Sequence, residues 1–464
     1  MLMKHALKMS AISIATLSAA IMIGSVAPAA AASFNVANDG ADSATCGAET
    51  SPCRSISQAI ANASDGDTIL VGAGRYGNVS GNPNFGGPGD EQPSTPYQTE
   101  GCIVCVTKAV HIFSIHGAAV TIIQGSSTTP YRSNVMIFDD GVTFGRAGGG
   151  FTITGGNDNG LTIVGQPNSI RNVTVAGNVD VNDVTGFLFF GVQFHQIIGC
   201  PEGECLQNAQ FLLSDNEAIG NSVGFNLTTN VDGGPGQLIV RNNMTVGAGT
   251  GFVAAGGCGD GACIDVASAN IVQLIDNVAA NGGTGFATNL SGLIEGNTAI
   301  GNSGPGFLVT PGYLQIFQSN SAIGNSGPGV VVEFSPSDQI LQFTAFASFS
   351  NNNFYGNDRN RSPTFSVSPI GFPINVSPQG AYNPGPGAHC GVLNVGALAA
   401  LLEGQVVSPS PVIKLQAGNN FWGSTSGPQS NGPGDAVGGV CDQNGGVTLA
   451  KPYATIPFGI TSWP

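Results

Sequence analysis

Positive charge is scarce in this chain. Among 464 residues there are 13 Lys and Arg against 28 Asp and Glu, a net charge of −15, and charged side chains of both signs make up only 9%. Nucleic acids and anionic membranes are held by clustered Lys and Arg, so this deficit excludes both as partners. Long apolar runs are missing after residue 32, which excludes a membrane-spanning helix in the remainder. Helix formers are diluted by 70 Gly and 27 Pro, each costly in a helix interior, so a mainly helical protein is excluded as well. Low charge does not mean disorder here, because hydrophobic residues still reach 41%, enough for a substantial core.

What is present starts with a targeting segment. Lys4, His5 and Lys8 form a positive head, Ala11 to Val26 an apolar stretch, and small residues run to Ala32. This is the pattern of a signal peptide over residues 1–32, and it predicts a secreted or cell-surface product. Removing it takes away two Lys and no acid, so the mature charge becomes 11 − 28 = −17.

The ten cysteines fit that compartment and fall into sequential pairs: Cys46 with Cys53, Cys102 with Cys105, Cys200 with Cys205, Cys258 with Cys263, and Cys390 with Cys441. Four of the five gaps are short, so each such bridge would staple a local loop. Cys102-Ile-Val-Cys105 also has a zinc-type spacing, but neither a second such pair nor a His pair accompanies it.

The middle of the chain repeats. Segments beginning at Asn216, Asn243, Asn277, Asn297 and Asn320 align, each running through Gly to Phe225, Phe252, Phe286, Phe307 or Val330, and Asn352 to Asn357 is a worn sixth copy. The starting Asn residues are 27, 34, 20 and 23 apart, and the longest gap holds Cys258-Gly-Asp-Gly-Ala-Cys263. A period of this size, with short β-type runs between Asn and Gly turns, is the signature of a solenoid. Strands of three to five residues are too short to stand as hairpins. Stacked coil on coil, they pair in parallel about 4.8 Å apart and bring like residues into register. The expectation is one internal column of Phe225, Phe252, Phe286, Phe307 and Val330, and a small-residue column of Ala218, Ala279, Ala299 and Ala322. The 40 Asn residues gain a structural role, since Asn tolerates left-handed backbone and its amide can bond between coils.

This Asn-x-Ala-x-Gly-Asn-Ser-Gly-x-Gly-Phe repeat resembles the right-handed parallel β-helix proteins of the pectin-lyase-like superfamily, especially secreted bacterial repeat proteins. Pro52 to Val71 looks like the opening segment of such folds: Ser55 and Gln58 fit a capping box, and Ile56, Ala59, Ile60 and Ala63 give a short helix one apolar face. That helix would cover the open end of the stack, where unpaired edges invite aggregation. Asn419 to Pro428, which includes Trp422, looks like the terminal segment of the same proteins, with Trp422 packed as a cap. The resemblance implies an all-β, right-handed parallel β-helix with a short N-terminal capping helix. Its organisation is a signal peptide over 1–32, an N-terminal cap and first coil over 33–76, a loop insertion over 77–108, coils over 109–358, and a C-terminal coil and cap region over 359–464. It leaves activity open, because this fold hosts lyases, hydrolases, epimerases, adhesins and inert fibres.

Chemistry-bearing residues are few. A lyase acting on uronates needs cations and a base beside the scissile bond, yet Arg241 is the one permanent cation between residues 172 and 358. Arg359 and Arg361 form the only close Arg pair, read as a solvated loop, and the paired-Asp and Gly-His-Gly motifs of polygalacturonases are absent. Carboxylates could serve a neutral glycan. Asp215 and Asp276 each precede an aligned Asn, with Asn242 between them, and two coil steps would separate them by about 10 Å, at or just beyond the upper edge of the inverting-glycosidase window. Glu217, two residues from Asp215, would share one strand face with it. The competing reading makes all three polar residues at turn edges. Asp139-Asp140 and Asp180-x-x-Asp183 could take Ca²⁺ through oxygen, but the nonapeptide calcium repeat is missing and turn formation is the simpler role. His111, His116, His195 and His389 are scattered, so no metal or other cofactor is expected.

The expectation is therefore a non-catalytic protein for adhesion, glycan contact or surface structure, with a polysaccharide or cell-surface glycan as partner. The alternative is a polysaccharide-acting enzyme, a glycoside hydrolase before a lyase, on a neutral glycan. The Gly- and Pro-rich stretch from Gly77 to Lys108 is a candidate partner-binding loop.

Overall fold

The structure, a computed structural model, describes residues 30–459 except 78–86, 92–100, 126–130, 157, 165–171, 191–192, 196–208, 233–235, 258–271, 291, 312–314, 335–345, 359–387, 398–400, 403–404, 407–412, 431–433 and 444–445. The targeting segment, apart from its last three residues, therefore lies outside it, as do Arg359 and Arg361. Ala32–Pro464 is one compact unit.

Three long parallel sheets make up the body of this unit, beside two short two-stranded ones, and from Thr68–Val71 onward the chain visits the three in rotation. The first sheet has 11 strands from Ser33–Val36 to Phe346–Ser350, and the second has 10 from Gly74–Gly77 to Asn353–Tyr355. The third has a main path from Gly101–Val106 to Val392–Ala397. Each strand pairs in parallel with its counterpart one coil away, which makes the chain an all-β parallel β-helix. The expected columns form. Phe225, Phe252, Phe286 and Phe307 occupy one internal line in the third sheet, in register with Val330. Phe187 extends the stack backwards, and successive rings lie 4.7–4.8 Å apart and within 10° of parallel. Ala218, Ala279, Ala299 and Ala322 share an inward column of the second sheet, with Thr245 between the first two.

The residue before each Phe of the column, and before Val330, shows why glycine recurs. Gly186, Gly224, Gly251, Gly285, Gly306 and Gly329 stack in the same column, and a Cβ on any of them would strike the carbonyl of the glycine one coil on. Bulk is allowed one residue later, where it points into the core.

Asparagine builds the corner between the first and second sheets. Asn178, Asn216, Asn243, Asn277, Asn297, Asn320, Asn352 and Asn420 form a continuous buried ladder. Each backbone N–H donates to the Oδ1 of the next at 2.8–3.1 Å. Each Nδ2 donates to the same oxygen at 2.9–3.3 Å. A second ladder, Asn302, Asn325 and Asn357, ends on Asp435, whose carboxylate accepts from Asn357 Nδ2 and from the backbone N–H groups of Gly356 and Asn357.

The N-terminal end is covered as expected. Ile56–Asn62 forms a helix that buries Ile56, Ala59 and Ile60 against the first strands of the first and third sheets. Its cap differs in detail from a capping box. Ser55 Oγ accepts from Gln58 N–H, but Gln58 turns its own amide to Asn62, and the backbone N–H of Ser55 is taken by Asp42. The remaining helix donors go to a residue far along the chain. Fully buried Glu91 accepts from the Ile56 and Ser57 N–H groups at 2.7 Å and from Ser57 Oγ at 2.6 Å. Lys108 closes the other helix end by donating to the carbonyls of Ala61 and Ala63. The stretch read as an insertion over 77–108 is not loop throughout. Gly101–Val106 is a wholly buried strand that opens the third sheet, where Val104 continues the column of Val135 and Leu161. At the far end Asn420 extends the ladder by one more coil, and Trp422, fully buried, closes the aromatic column 4.9 Å from Phe354.

Disulfides join Cys46–Cys53, Cys102–Cys105 and Cys390–Cys441, three of the five sequential pairs. The other two expected bridges, Cys200 with Cys205 and Cys258 with Cys263, lie outside the described residues.

Candidate functional site

The three candidate carboxylates occupy the corner between the first and second sheets and the outer surface beside it. Asp215 and Asp276 are exposed and hold left-handed backbone, with φ of 57° and 53°. Asn242, Ser319, Asn351 and Asn419 take the same conformation at the equivalent place in their own coils, and Gly177 and Gly296 fill it elsewhere. This column turns the chain from one sheet to the next immediately before each ladder Asn. Asp and Asn are tolerated there because a short polar side chain lowers the cost of positive φ. Asp215 and Asp276 lie two coils apart with Asn242 between them, as expected. Partial desolvation at the corner and the neighbouring Glu295 raise the Asp276 carboxyl above its ordinary range.

Glu217 does not share a strand face with Asp215. The left-handed corner intervenes, and Glu217 begins the next strand, Glu217–Ile219, on the outer face of the second sheet. There it stands in register with Val179 and Met244. Its side chain is 8% exposed, Oε1 has no hydrogen-bond partner, and burial lifts the carboxyl to about 7. The surrounding face is apolar. One outward column runs Val181, Ile219, Val246, Ala280, Ile300, Ile323 and Tyr355. Val278, Ala280, Ile300 and Ile323 are packed as a cluster with Met244 and Tyr355, whereas Val181, Ile219 and Val246 nearer Glu217 are half-buried. From Thr152 to Tyr355 the strands of this sheet contain no Lys or Arg. An anionic polymer would meet no counter-charge from them.

The remaining sequence candidates separate. Asp139 and Asp140 are spent on a turn, accepting from the N–H groups of Asp140 and Gly141. His111 stacks on Phe113 on the outside of the first sheet, His116 is exposed, and His389 is buried. The side chain of His195 and most of the 77–108 stretch lie outside the described residues. Arg241 is exposed on the first sheet. Asp180 and Asp183 do come together, but inside the coil and not at the surface. Among the described residues no three His, Cys, Asp or Glu side chains form a group able to hold a metal. Periodicity alone could not reveal Glu91, which serves a helix 34 and 35 residues away. No known protein family, curated protein or solved structure matches the chain.

Proposed function

We propose that this protein is a non-catalytic β-helix that works outside the cytoplasm by surface contact, in adhesion or the holding of a neutral glycan. The observation that carries this reading is the dispersal of the three candidate carboxyls. Asp215 and Asp276 sit where the backbone needs a left-handed corner, and Glu217 leaves from a different face. A glycosidase needs two carboxyls aimed at one bond. The half-buried apolar strip around Glu217 is the contact surface in this proposal, and its lack of cations favours an uncharged partner. Three disulfides among the described residues suit an oxidising compartment, and no described helix is long and apolar enough to cross a membrane.

One observation favours the alternative. A carboxyl raised to about 7 in apolar surroundings is what a general acid requires, and Glu217 has that setting. The deciding experiment incubates the protein with a panel of neutral and acidic polysaccharides, following reducing ends and unsaturated products, beside a glycan-binding array. Retention on neutral glycans without product formation is the expected result. Turnover that disappears in Glu217→Gln would replace the binding reading with a glycoside hydrolase.

A further inference from the structure

The inward column of the second sheet reads Tyr76, Ile123, Ile153, Asp180, Ala218, Thr245, Ala279, Ala299, Ala322 and Phe354. Nine of the ten are uncharged side chains of a core. Asp180 is fully buried among them, and a second carboxyl, Asp183 at 2% exposure, lies against it.

Donors among the described residues reach three of the four carboxyl oxygens. Asp180 Oδ1 accepts from Asn221 Nδ2 at 2.6 Å. Asp183 Oδ1 accepts from Gly156 N–H at 2.7 Å, and its Oδ2 from Asn134 Nδ2 at 3.0 Å. Asp180 Oδ2 receives nothing from any of them. It is pressed against Gly160, where a Cβ would collide with it, which leaves little room for a metal ion. The charged positions on the packed elements are Arg132 of Tyr131–Ile137, half-buried Asp158 ahead of Asn159–Val164, and Glu217, which faces outward. Among the described side chains none offers a cation to the pair.

Two ionised carboxylates in contact inside an apolar coil repel each other and lose hydration together. A single proton resolves both problems and supplies the missing partner. Carried on one carboxyl and donated to the other, it turns the pair into one acid and one carboxylate. We propose that Asp180 and Asp183 share one proton inside the stack, so that this coil is locked while the proton is held and loosened where rising pH removes it.

The sign follows from linkage. Burial and mutual repulsion hold the folded pair protonated to higher pH than the unfolded chain. The stabilisation is thus complete below the ordinary Asp value and is lost as pH climbs through the raised one. Across that interval the unfolding constant grows by about tenfold per pH unit for each proton held only by the folded state.

Asp180→Asn tests this, because an amide NH₂ donates to Asp183 as the shared proton does but does not titrate. Thermal and denaturant unfolding of the full chain would be followed from pH 4 to pH 9 for wild type and variant. Glu91 and Glu217 titrate in both proteins, so the difference between the two curves is the readout. The variant is expected to gain on wild type steadily as pH rises, and parallel curves would overturn the proposal. Infrared spectra of the folded proteins across the same pH range provide a second check should the variant fold poorly. A buried protonated-carboxyl band that is present in wild type and weakened in Asp183→Asn or Asp180→Asn supports the shared proton, and an unchanged band counts against it. Wild type is also compared with and without Ca²⁺. Stabilisation by Ca²⁺ that Asp180→Asn abolishes would show that the pair holds a metal ion and not a proton.

Discussion

Glu217 and Asn277 show two ways of placing a polar side chain on a stacked coil. Asn277 is buried and fully used: Oδ1 accepts from the N–H and amide of Asn243, and Nδ2 donates to Asn297 Oδ1 and the Val240 carbonyl. A neutral amide can do this because it donates and accepts at once, so one residue type can repeat through the ladder without accumulating charge. Glu217 has no such arrangement, since Oε1 is buried and unpartnered. Its carboxyl is raised to about 7 from an ordinary value near 4.5, by burial. A raised acid contributes its stabilisation below the ordinary value and loses it as pH rises through about 7. Glu217→Gln should therefore unfold at the same temperature as wild type near pH 4.5 and at a higher one at pH 8. A melting-temperature difference that stays constant across this range would refute the assignment.

At the scale of the element, the unit is one Gly-Phe step in the third sheet together with one Asn corner. Phe252 is wholly buried between Phe225 and Phe286 at 4.8 Å on either side. Its replacement by Ala leaves a gap that neighbouring coils cannot close, since their separation is fixed by the hydrogen bonds of three sheets. Phe252→Ala should cost about 4 kcal/mol, while Phe252→Leu, which keeps most of the volume, should cost about 1 kcal/mol. Denaturant unfolding gives both numbers, and equal losses would mean that the column is not close-packed. These steps were legible in the sequence because each repeats: Asn216 to Phe225 and Asn297 to Phe307 align by eye, and parallel stacking puts aligned residues in contact. What repeats least was least legible. Asp215 and Glu217 looked like neighbours on one strand because an Asp permits a left-handed backbone at residue 215 without requiring one. Glu91 capping the helix, and Asp180 meeting Asp183 in the core, depend on contacts that occur once, so no period exposes them.

For the whole coil stack, stability adds up from neighbour to neighbour, and the ends carry a disproportionate share because each terminal coil has one partner where an inner coil has two. The N-terminal end is sealed by the Ile56–Asn62 helix, with Glu91 and Lys108 at its two termini. The far end is sealed by Trp422, by Asp435 at the close of the second ladder, and by the last strand of the third sheet, Val392–Ala397. Two of the disulfides lie at these ends, and they differ in reach. Cys46–Cys53 closes a separation of 7 residues, whereas Cys390–Cys441 closes 51 and ties the start of that last strand to the Gly439–Cys441 turn. If cross-links act by restricting the unfolded chain, the longer loop is worth about 4 kcal/mol and the shorter about 2 kcal/mol. Replacing both Cys390 and Cys441 by Ser should thus lower the melting temperature more than replacing both Cys46 and Cys53. The first loss should also expose the C-terminal end of the stack, so that early proteolysis in the double variant begins after residue 388 while the central coils stay intact. Equal shifts for the two double variants, or cleavage spread evenly along the coils, would mean that the bridge acts only locally and that the end of the stack is held by Trp422 and the Asn ladder alone.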